Sequence, residues 1–485
     1  MLRVVLLFLT AALATAAAQP GSKNATKPNI LFIVADDLGW NDVGWHNPDV
    51  KTPVLDQLAN EGVILNQCYV NYVCTPSRTA FMTGYFPYHV GSQHTVFFPQ
   101  QAQGIPSKFP FLPEKLKQLG YATHMVGKDD KDVVKTRSGQ YGTYFFTDRV
   151  VDIVEKHPAD TPLFMYLPYQ NVHQPLQVPQ RFEDMYASVQ DENRRKLLGM
   201  VSALDEAVGN VTMAMKKAGL WDNTLVIFTT DNGGWISASG NNYPLRGGKV
   251  TLWEGGTRGV AFAHGKMLQK TGYTNNEMIH AVDWFPTILA AAGGTADEAI
   301  DGVSQLDTIM SGQPSPRTEF VYNIDDEFPT KQGAIRVGDY KLIEGYAGKP
   351  DGWILPPNLT GSQLDSGDPV IGTWLFNLKV SGDPVIGTWL FNLKAGQRRP
   401  RHRDLALQPE SQPDSGDPVI GTWLFNLKDD PTEHHNLADS MPDKLREMQA
   451  KLAEYRKSLV PAIFPAPDPK SNPDNWGGAW SPGWC

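Results

Sequence analysis

Asn29-Ile30-Leu31-Phe32-Ile33-Val34-Ala35 is a continuous apolar run rich in β-branched and aromatic residues, and it stops on Asp36-Asp37. An alternating pattern would indicate a strand with one wet face. An unbroken run indicates burial on both faces, as in a parallel strand inside an α/β sheet. Three further runs share this character. Residues 224–230 (TLVIFTT) end on Asp231-Asn232, residues 163–167 (LFMYL) lead to His173, and the weaker run 122–126 (ATHMV) leads to Gly127-Lys128. Helical patterns lie between them: 52–61, with Thr52 placed to cap and Pro53 at the first helical position, and a long amphipathic segment over 195–218. Strands alternating with helices predict an α/β fold with a large, mostly parallel sheet flanked by helices. Ligands in such sheets bind beyond the carboxyl ends of the strands. Four polar groups follow four predicted strands on that one edge.

The rest of the chain sets the boundaries of the reading. With 485 residues and 41% hydrophobic content it can bury a large core in more than one domain. The formal net charge is −9, and the one basic cluster is the short run 398–403, which argues against nucleic acid as a partner. Residues 1–18 carry one early Arg, a short apolar stretch and small residues at Ala16–Ala18, which reads as a secretory signal peptide. That stretch is too short for an anchor, and no other approaches the ~20 apolar residues of a membrane span. Sequons at Asn24, Asn210 and Asn358 agree with a secretory route. Among three cysteines, Cys68, Cys74 and Cys485, one must be unpaired or used chemically.

Beyond about residue 317 segments shorten, Gly and Pro increase, and a helical stretch follows at 441–458. A main domain over 28–317 and a smaller C-terminal α+β domain over 318–485 are expected. Within the latter, SGDPVIGTWLFNLK occurs three times unchanged, starting at Ser366, Ser381 and Ser415. The irregular offsets exclude a solenoid. Each copy reads as a turn and one strand, with the surplus copies as loops or edge strands.

Asp36-Asp37 and Asp231-Asn232 supply hard oxygen ligands of the kind Ca²⁺ or Mg²⁺ takes. Either pair alone would ordinarily be read as a cap. Two acidic pairs on one sheet edge repel unless a cation neutralises them. Cys74 opens Cys74-Thr75-Pro76-Ser77-Arg78, where Pro76 suits a first helical turn whose N-terminus attracts anions and Arg78 can reach the same spot. Alone, Cys74 would be a small buried hydrophobe. Lys128 and Lys249, the latter after Arg246-Gly247-Gly248, can hold an anion, and His173 can donate to one or act as an acid.

Together these residues resemble the type I sulfatases of the alkaline phosphatase superfamily. CTPSR at 74–78 matches that family's Cys-x-Pro-x-Arg signature, and PNILFIVADDLGWNDVG from Pro28 resembles its opening block. TTDNGG, PLRGGKVTLWEGGTRG and AVDWFPTILAAAG resemble later blocks. YLPYQNVHQPLQVP, SALDEAVGNVTMAMKKAGLW and NIDDEFPT narrow the resemblance to the arylsulfatase B (N-acetylgalactosamine-4-sulfatase) branch, and it runs from about residue 28 to about 474. The resemblance implies an alkaline-phosphatase-like fold and hydrolysis of 4-sulfate on N-acetylgalactosamine units of dermatan and chondroitin sulfate, or of an aryl sulfate ester. It implies that the formylglycine-generating enzyme of the ER oxidises Cys74 to formylglycine. The hydrate of that aldehyde attacks sulfur, the alcohol leaves, and sulfate is then expelled. It further implies that Asp36, Asp37, Asp231 and Asn232, with the Cys74-derived oxygen, hold one Ca²⁺. Arg78 would orient the formylglycine, and Lys128, His173 and Lys249 would bind sulfate and serve the leaving group. A lysosomal or secreted destination follows from the same resemblance.

One block departs from the pattern. Where the family continues Gly-Lys-Trp-His-Leu-Gly, this chain reads Gly127-Lys128-Asp129-Asp130-Lys131-Asp132, and the long segment that follows in the family is largely absent. An ionised carboxylate in place of that His would repel a sulfate and could not donate a hydrogen bond. Three readings therefore stand: an active sulfatase, a catalytically impaired paralogue that still binds Ca²⁺ and sulfated glycans, and a phosphoester hydrolase on the same superfold. The last is disfavoured because such relatives carry Ser or Thr where Cys74 stands.

Overall fold

A computed structural model describes residues 27–98, 101–128, 139–296, 299–327, 331–349, 420–471 and 475. The segment 1–18, the sequons at Asn24 and Asn358, the pair Asp129-Asp130, the repeat copies at Ser366 and Ser381, and Cys485 lie outside the described residues.

The strands are β1 (Asn29–Ala35), β2 (Val63–Leu65), β3 (Cys68–Tyr69), β4 (Ala122–Met125), β5 (Leu163–Pro168), β6 (Thr224–Thr230), β7 (Ala261–His264), β8 (Tyr273–Asn275), β9 (Ile279–His280), β10 (Glu319–Asp325), β11 (Gln332–Val337), β12 (Tyr340–Tyr346) and β13 (Ile420–Asn426). The helices used below are α1 (Pro53–Glu61), α2 (Cys74–Thr83), α3 (Leu112–Gln118), α4 (Gly142–Glu155), α5 (Glu192–Lys217), α6 (Trp284–Ala291) and α7 (Pro442–Arg456). Seven strands form one sheet in the order β4-β5-β1-β6-β7-β2-β8. The four strands expected from their apolar runs are its contiguous parallel half: β4 with β5, β5 with β1, and β1 with β6. Strand β7 runs antiparallel to both β6 and β2.

The unbroken apolar character of β1 has a direct structural cause. Ile30, Phe32 and Val34 enter one core while Leu31, Ile33 and Ala35 enter the other, on opposite faces of the sheet. On the first face they meet α2, α3 and α6; on the second they meet α1, α4 and α5. Phe32 is fully buried, with ring contacts to Phe81 at 5.4 Å, Tyr166 at 5.6 Å and Trp284 at 6.0 Å. Burial of such a side chain contributes about 1.5–3 kcal/mol.

Helix capping differs from the sequence expectation. Thr52 occupies the N-cap position of α1 but makes no side-chain cap bond, and its hydroxyl donates to Asp56 Oδ1 at 2.8 Å. The first-turn amides of α1 are satisfied instead by Asp205 of α5, from Leu55 at 2.7 Å and Val54 at 3.3 Å. Helix α5 begins at Glu192, three residues before the expected start, because Asp191 accepts from Arg194 N at 2.6 Å. Asn210 stands on this helix, half-buried, with Thr212 of its sequon buried.

Residues after Glu319 build a four-stranded antiparallel sheet, β10-β11-β12-β13, with α7 packed on it through Met448 and Leu452. Strand β13 belongs to the third repeat copy and takes an edge position beside β12. Phe320, Tyr322, Ile335 and Leu342 of this sheet share a core with Phe81 and Trp253. Among the described residues, no helix is long and apolar enough to cross a membrane.

Candidate active site and metal centre

The carboxyl ends of β4, β5, β1 and β6 face one edge, and the loops there carry Lys128, His173, Asp36-Asp37 and Asp231-Asn232. Two close backbone approaches shape these loops. Gly127 has φ 154° and a Cβ there would lie 2.0 Å from the Pro168 carbonyl, so Lys128 N can donate to that oxygen at 2.7 Å. A Cβ on Gly233 would lie 1.7 Å from the Gly255 carbonyl, so the turn after Asn232 closes only with glycine. Asp37 itself has φ 61°, a conformation Asp tolerates better than most residues but which still stores strain at this edge.

Cys74 is the first residue of α2, buried, and Arg78 lies one turn along the same helix. The Arg78 guanidinium bridges the two acidic loops, donating from Nε to Asp231 Oδ2 at 2.9 Å and from Nη2 to Asp36 Oδ2 at 3.2 Å. Lys128 Nζ reaches Asp36 Oδ2 at 2.6 Å. Lys249 Nζ reaches Asp37 Oδ1 at 2.6 Å and Oδ2 at 2.9 Å, and Asn232 Nδ2 donates to Asp37 Oδ1 at 2.8 Å. His173 Nδ1 lies 2.6 Å from the Gln174 carbonyl, so that nitrogen carries the proton and Nε2 is left facing Asp37 Oδ2 at 3.8 Å. The ligand atoms of Asp36, Cys74 and Asp231 lie within 4.8 Å of one another, as do those of Asp36, Asp37 and His173. All nine residues singled out from the sequence thus meet in one network.

The electrostatics follow from burial and crowding. Burial opposes ionisation of Asp36, yet Lys128, His173, Arg78 and Lys249 hold its carboxyl well below the usual carboxylate range. Burial and the neighbouring Asp36 push Asp231 up to about 6, against the pull of Arg78. Burial raises the Cys74 thiol despite Lys249 and Lys128, so it is a protonated thiol at neutral pH and a poor thiolate nucleophile. Burial also lowers His173, against Asp36 and Asp37.

Two buried oxygens of this cluster, Asp36 Oδ1 and Asn232 Oδ1, have no hydrogen-bond partner among the described residues. A buried acceptor left unmade is costly. Oxygens from Asp36, Asp37, Asp231 and Asn232 on adjacent loops are the donor set a hard divalent cation takes, so these residues fit Ca²⁺. The fixed charges balance: Arg78, Lys128 and Lys249 offset Asp36, Asp37 and Asp231. A divalent cation would add two positive charges, which would leave the site net positive and able to receive an anionic group.

The sequence reading missed Trp235. Its ring lies 4.9 Å from Lys249 Nζ and 6.2 Å from the His173 ring, which gives the Lys249 side of the cluster an apolar wall. Its position directly after Asn232-Gly233-Gly234 was the available signal. Tyr166, on β5, was also missed; its buried hydroxyl lacks a hydrogen-bond partner among the described residues, and burial pushes it up to about 12 against the pull of Arg78.

Comparison with known proteins places the chain in a family. The family model described as Sulfatase matches residues 28–145 and 134–294. The chain is similar to arylsulfatase J of Mus musculus, 34% identical across 96% of this chain and 81% of that protein. It is also similar to human N-acetylgalactosamine-6-sulfatase, 28% identical across 61% of this chain and 69% of that protein. The solved structure of Ps i-CgsB in complex with k-i-k-neocarrahexaose superposes with a TM-score of 0.69 at 23% identity, covering 90% of this chain and 94% of that one, which speaks to the fold.

Proposed function

Because this chain belongs to the sulfatase family and is a sulfuric ester hydrolase, we propose that it removes the 4-sulfate from N-acetylgalactosamine units of dermatan and chondroitin sulfate. The observation that carries the reading is the placement of Cys74 at a helix N-terminus, one turn from Arg78, with the Asp36 and Asp231 carboxylates against both. The choice of the 4-sulfate rests on the sequence blocks at 166–179, 202–221 and 323–330.

Cys74 is the residue that would carry formylglycine, which supplies an oxygen nucleophile that the buried, protonated thiol does not. Asp36, Asp37, Asp231 and Asn232 would hold Ca²⁺, which supplies charge to polarise the sulfate. The chain's own groups do the rest. Arg78 is pinned by two carboxylates and so holds its guanidinium beside residue 74 in one orientation. Lys128 and Lys249 approach from opposite loops and would bind the non-bridging sulfate oxygens, where charge grows in the transition state. With the Nδ1 proton held by the Gln174 carbonyl, Nε2 is the nitrogen that would face the departing alcohol, and it would give a proton from the imidazolium form that Asp36 and Asp37 favour. Trp235 would exclude water from the anion side.

Residues 28–317 form the catalytic unit in this reading, with 318–485 as a smaller companion. The formylglycine-generating enzyme is the processing partner, residues 1–18 the signal, and Asn24, Asn210 and Asn358 the glycan acceptors of a lysosomal or secreted enzyme. A second reading is favoured by one observation, the replacement of Trp-His by Asp129-Asp130. There the chain binds Ca²⁺ and sulfated glycans without turnover. Co-expression with the formylglycine-generating enzyme, peptide mass of the Cys74 segment and turnover of a chromogenic aryl sulfate separate the two. Intact formylglycine and retained glycan binding without turnover would refute the hydrolytic reading.

A further inference from the structure

Lys249 arrives at the site on the segment 246–257, and much of what holds that segment comes from the C-terminal sheet and the residues that follow β12 and β13. Leu252 N donates to the Ala347 carbonyl at 2.8 Å and Trp253 Nε1 to the Gly348 carbonyl at 3.0 Å. Glu254 N donates to Glu433 Oε2 at 2.7 Å, and Arg246 Nη1 to the Glu433 carbonyl at 3.0 Å. Beneath these contacts Lys341 Nζ of β12 bridges Glu254 Oε1 at 2.9 Å and Glu433 Oε1 at 2.8 Å. All three side chains are 0% exposed, so the Lys341 ammonium is compensated by these two carboxyl groups rather than by water. The Trp253 ring packs edge-on against Trp423 of β13 at 5.1 Å.

This anchoring meets a strained point. Val250, the residue after Lys249, has φ 67°. A β-branched side chain adopts the left-handed region only where its surroundings impose it, and such strain gathers at functional sites. Gly234 accepts from Lys249 N at 3.1 Å and Tyr72 from Val250 N at 2.8 Å, both from the catalytic side. The opposing hold comes from Glu254, Lys341 and Glu433.

We propose that the Glu254–Lys341–Glu433 cluster is a positioning device, which keeps Val250 in its left-handed conformation and so places the Lys249 ammonium against the bound sulfate. The proposal rests on the sulfatase reading above. It also gives the third repeat copy a distinct task. Glu433 stands five residues after Lys428, the end of that copy, whereas the same offset after the first and second copies reaches Pro384 and Arg399. Only the third copy is followed by the carboxylate that completes the cluster.

The test uses the full chain and the variants Glu433→Ala, Glu433→Gln and Glu433→Ala/Val250→Gly. Three quantities are measured: kcat and KM on an aryl sulfate, affinity for inorganic sulfate by calorimetry, and the melting temperature. Glu433→Ala is expected to lower kcat/KM at least tenfold and weaken sulfate binding by a similar factor. Glu433→Gln, which keeps an acceptor for Glu254 N, should fall between it and the parent. Adding Val250→Gly should recover at least threefold of the loss, because glycine holds the left-handed backbone without strain. The proposal is overturned if Glu433→Ala stays within twofold of the parent in both readouts, or if Val250→Gly brings no recovery. Should Glu433→Ala fail to fold, Glu433→Gln carries the same comparison with and without Val250→Gly. An inactive parent would count against the hydrolase reading, while sulfate affinity would still report whether Lys249 is placed by the cluster.

Discussion

Lys249→Met would separate the structural duty of one cation from the catalytic duty proposed for it. Lys249 Nζ lies 2.6 Å from Asp37 Oδ1, with a side chain only 5% exposed. At an effective dielectric of about 20, that pair is worth roughly 6 kcal/mol before desolvation is counted. Removing one partner of a buried pair typically costs about 3–5 kcal/mol, because the other charge remains buried. Asp37 keeps the Asn232 donor at 2.8 Å and has His173 Nε2 at 3.8 Å, so the expected cost is at the lower end, about 3 kcal/mol. Met preserves the length of the stem, so little packing is lost. In a chelator the variant should therefore melt well below the parent. In saturating Ca²⁺ the deficit should shrink to less than half, since a cation on Asp37 replaces the missing charge and stabilises only the folded state. Turnover should not recover, because Ca²⁺ cannot fill the place of the ammonium on the sulfate oxygens; a loss of about 10²–10³ in kcat is expected. Differential scanning calorimetry with and without Ca²⁺, alongside aryl sulfate kinetics, reads both. Equal melting deficits in chelator and in Ca²⁺ would remove Asp37 from the metal set. A kcat/KM within threefold of the parent would remove Lys249 from the substrate.

Other predictions follow from the same contacts. Cys74→Ala should abolish turnover while calorimetric Ca²⁺ affinity falls by less than tenfold, since four oxygen-bearing side chains remain. Arg78→Lys should lower kcat by at least about tenfold, because an ammonium cannot span Asp36 and Asp231 as the guanidinium fork does; steady-state kinetics would show it. Burial, with Glu254 nearby, pushes Glu433 up to about 7 from 4.5, against the pull of Lys341. Its contribution to stability is thus fully present below about pH 4.5 and is lost as pH rises through about 7, so Glu433→Gln should flatten that limb of the melting temperature against pH. Phe32→Ala should destabilise by about 3–5 kcal/mol in chemical denaturation, as it empties the meeting point of three aromatic rings.

Much of this protein was legible locally. The period of the apolar residues in 29–35 and 224–230 marked β1 and β6, because a strand buried on both faces has no polar side to show. The polar residues after each run marked the edge where ligands gather, since that edge is a property of parallel sheets in general. The signature at 74–78 and its flanking blocks carried the family, because the chemistry demands particular side chains at particular spacings.

What the sequence could not supply was decided by contacts between distant segments. Local pattern says that four strands exist; only the sheet order β4-β5-β1-β6 brings Lys128, His173, Asp36 and Asp231 side by side. Thr52 had the right chemistry for a cap, yet Asp205, more than a hundred residues away, took that place. The repeat copies are identical in sequence, and the chain folds the third against β12 where Glu433 can reach Lys341 and Glu254. Residue types and periodicity are read along the chain, whereas charge compensation and backbone strain are settled only by what folding places across from them.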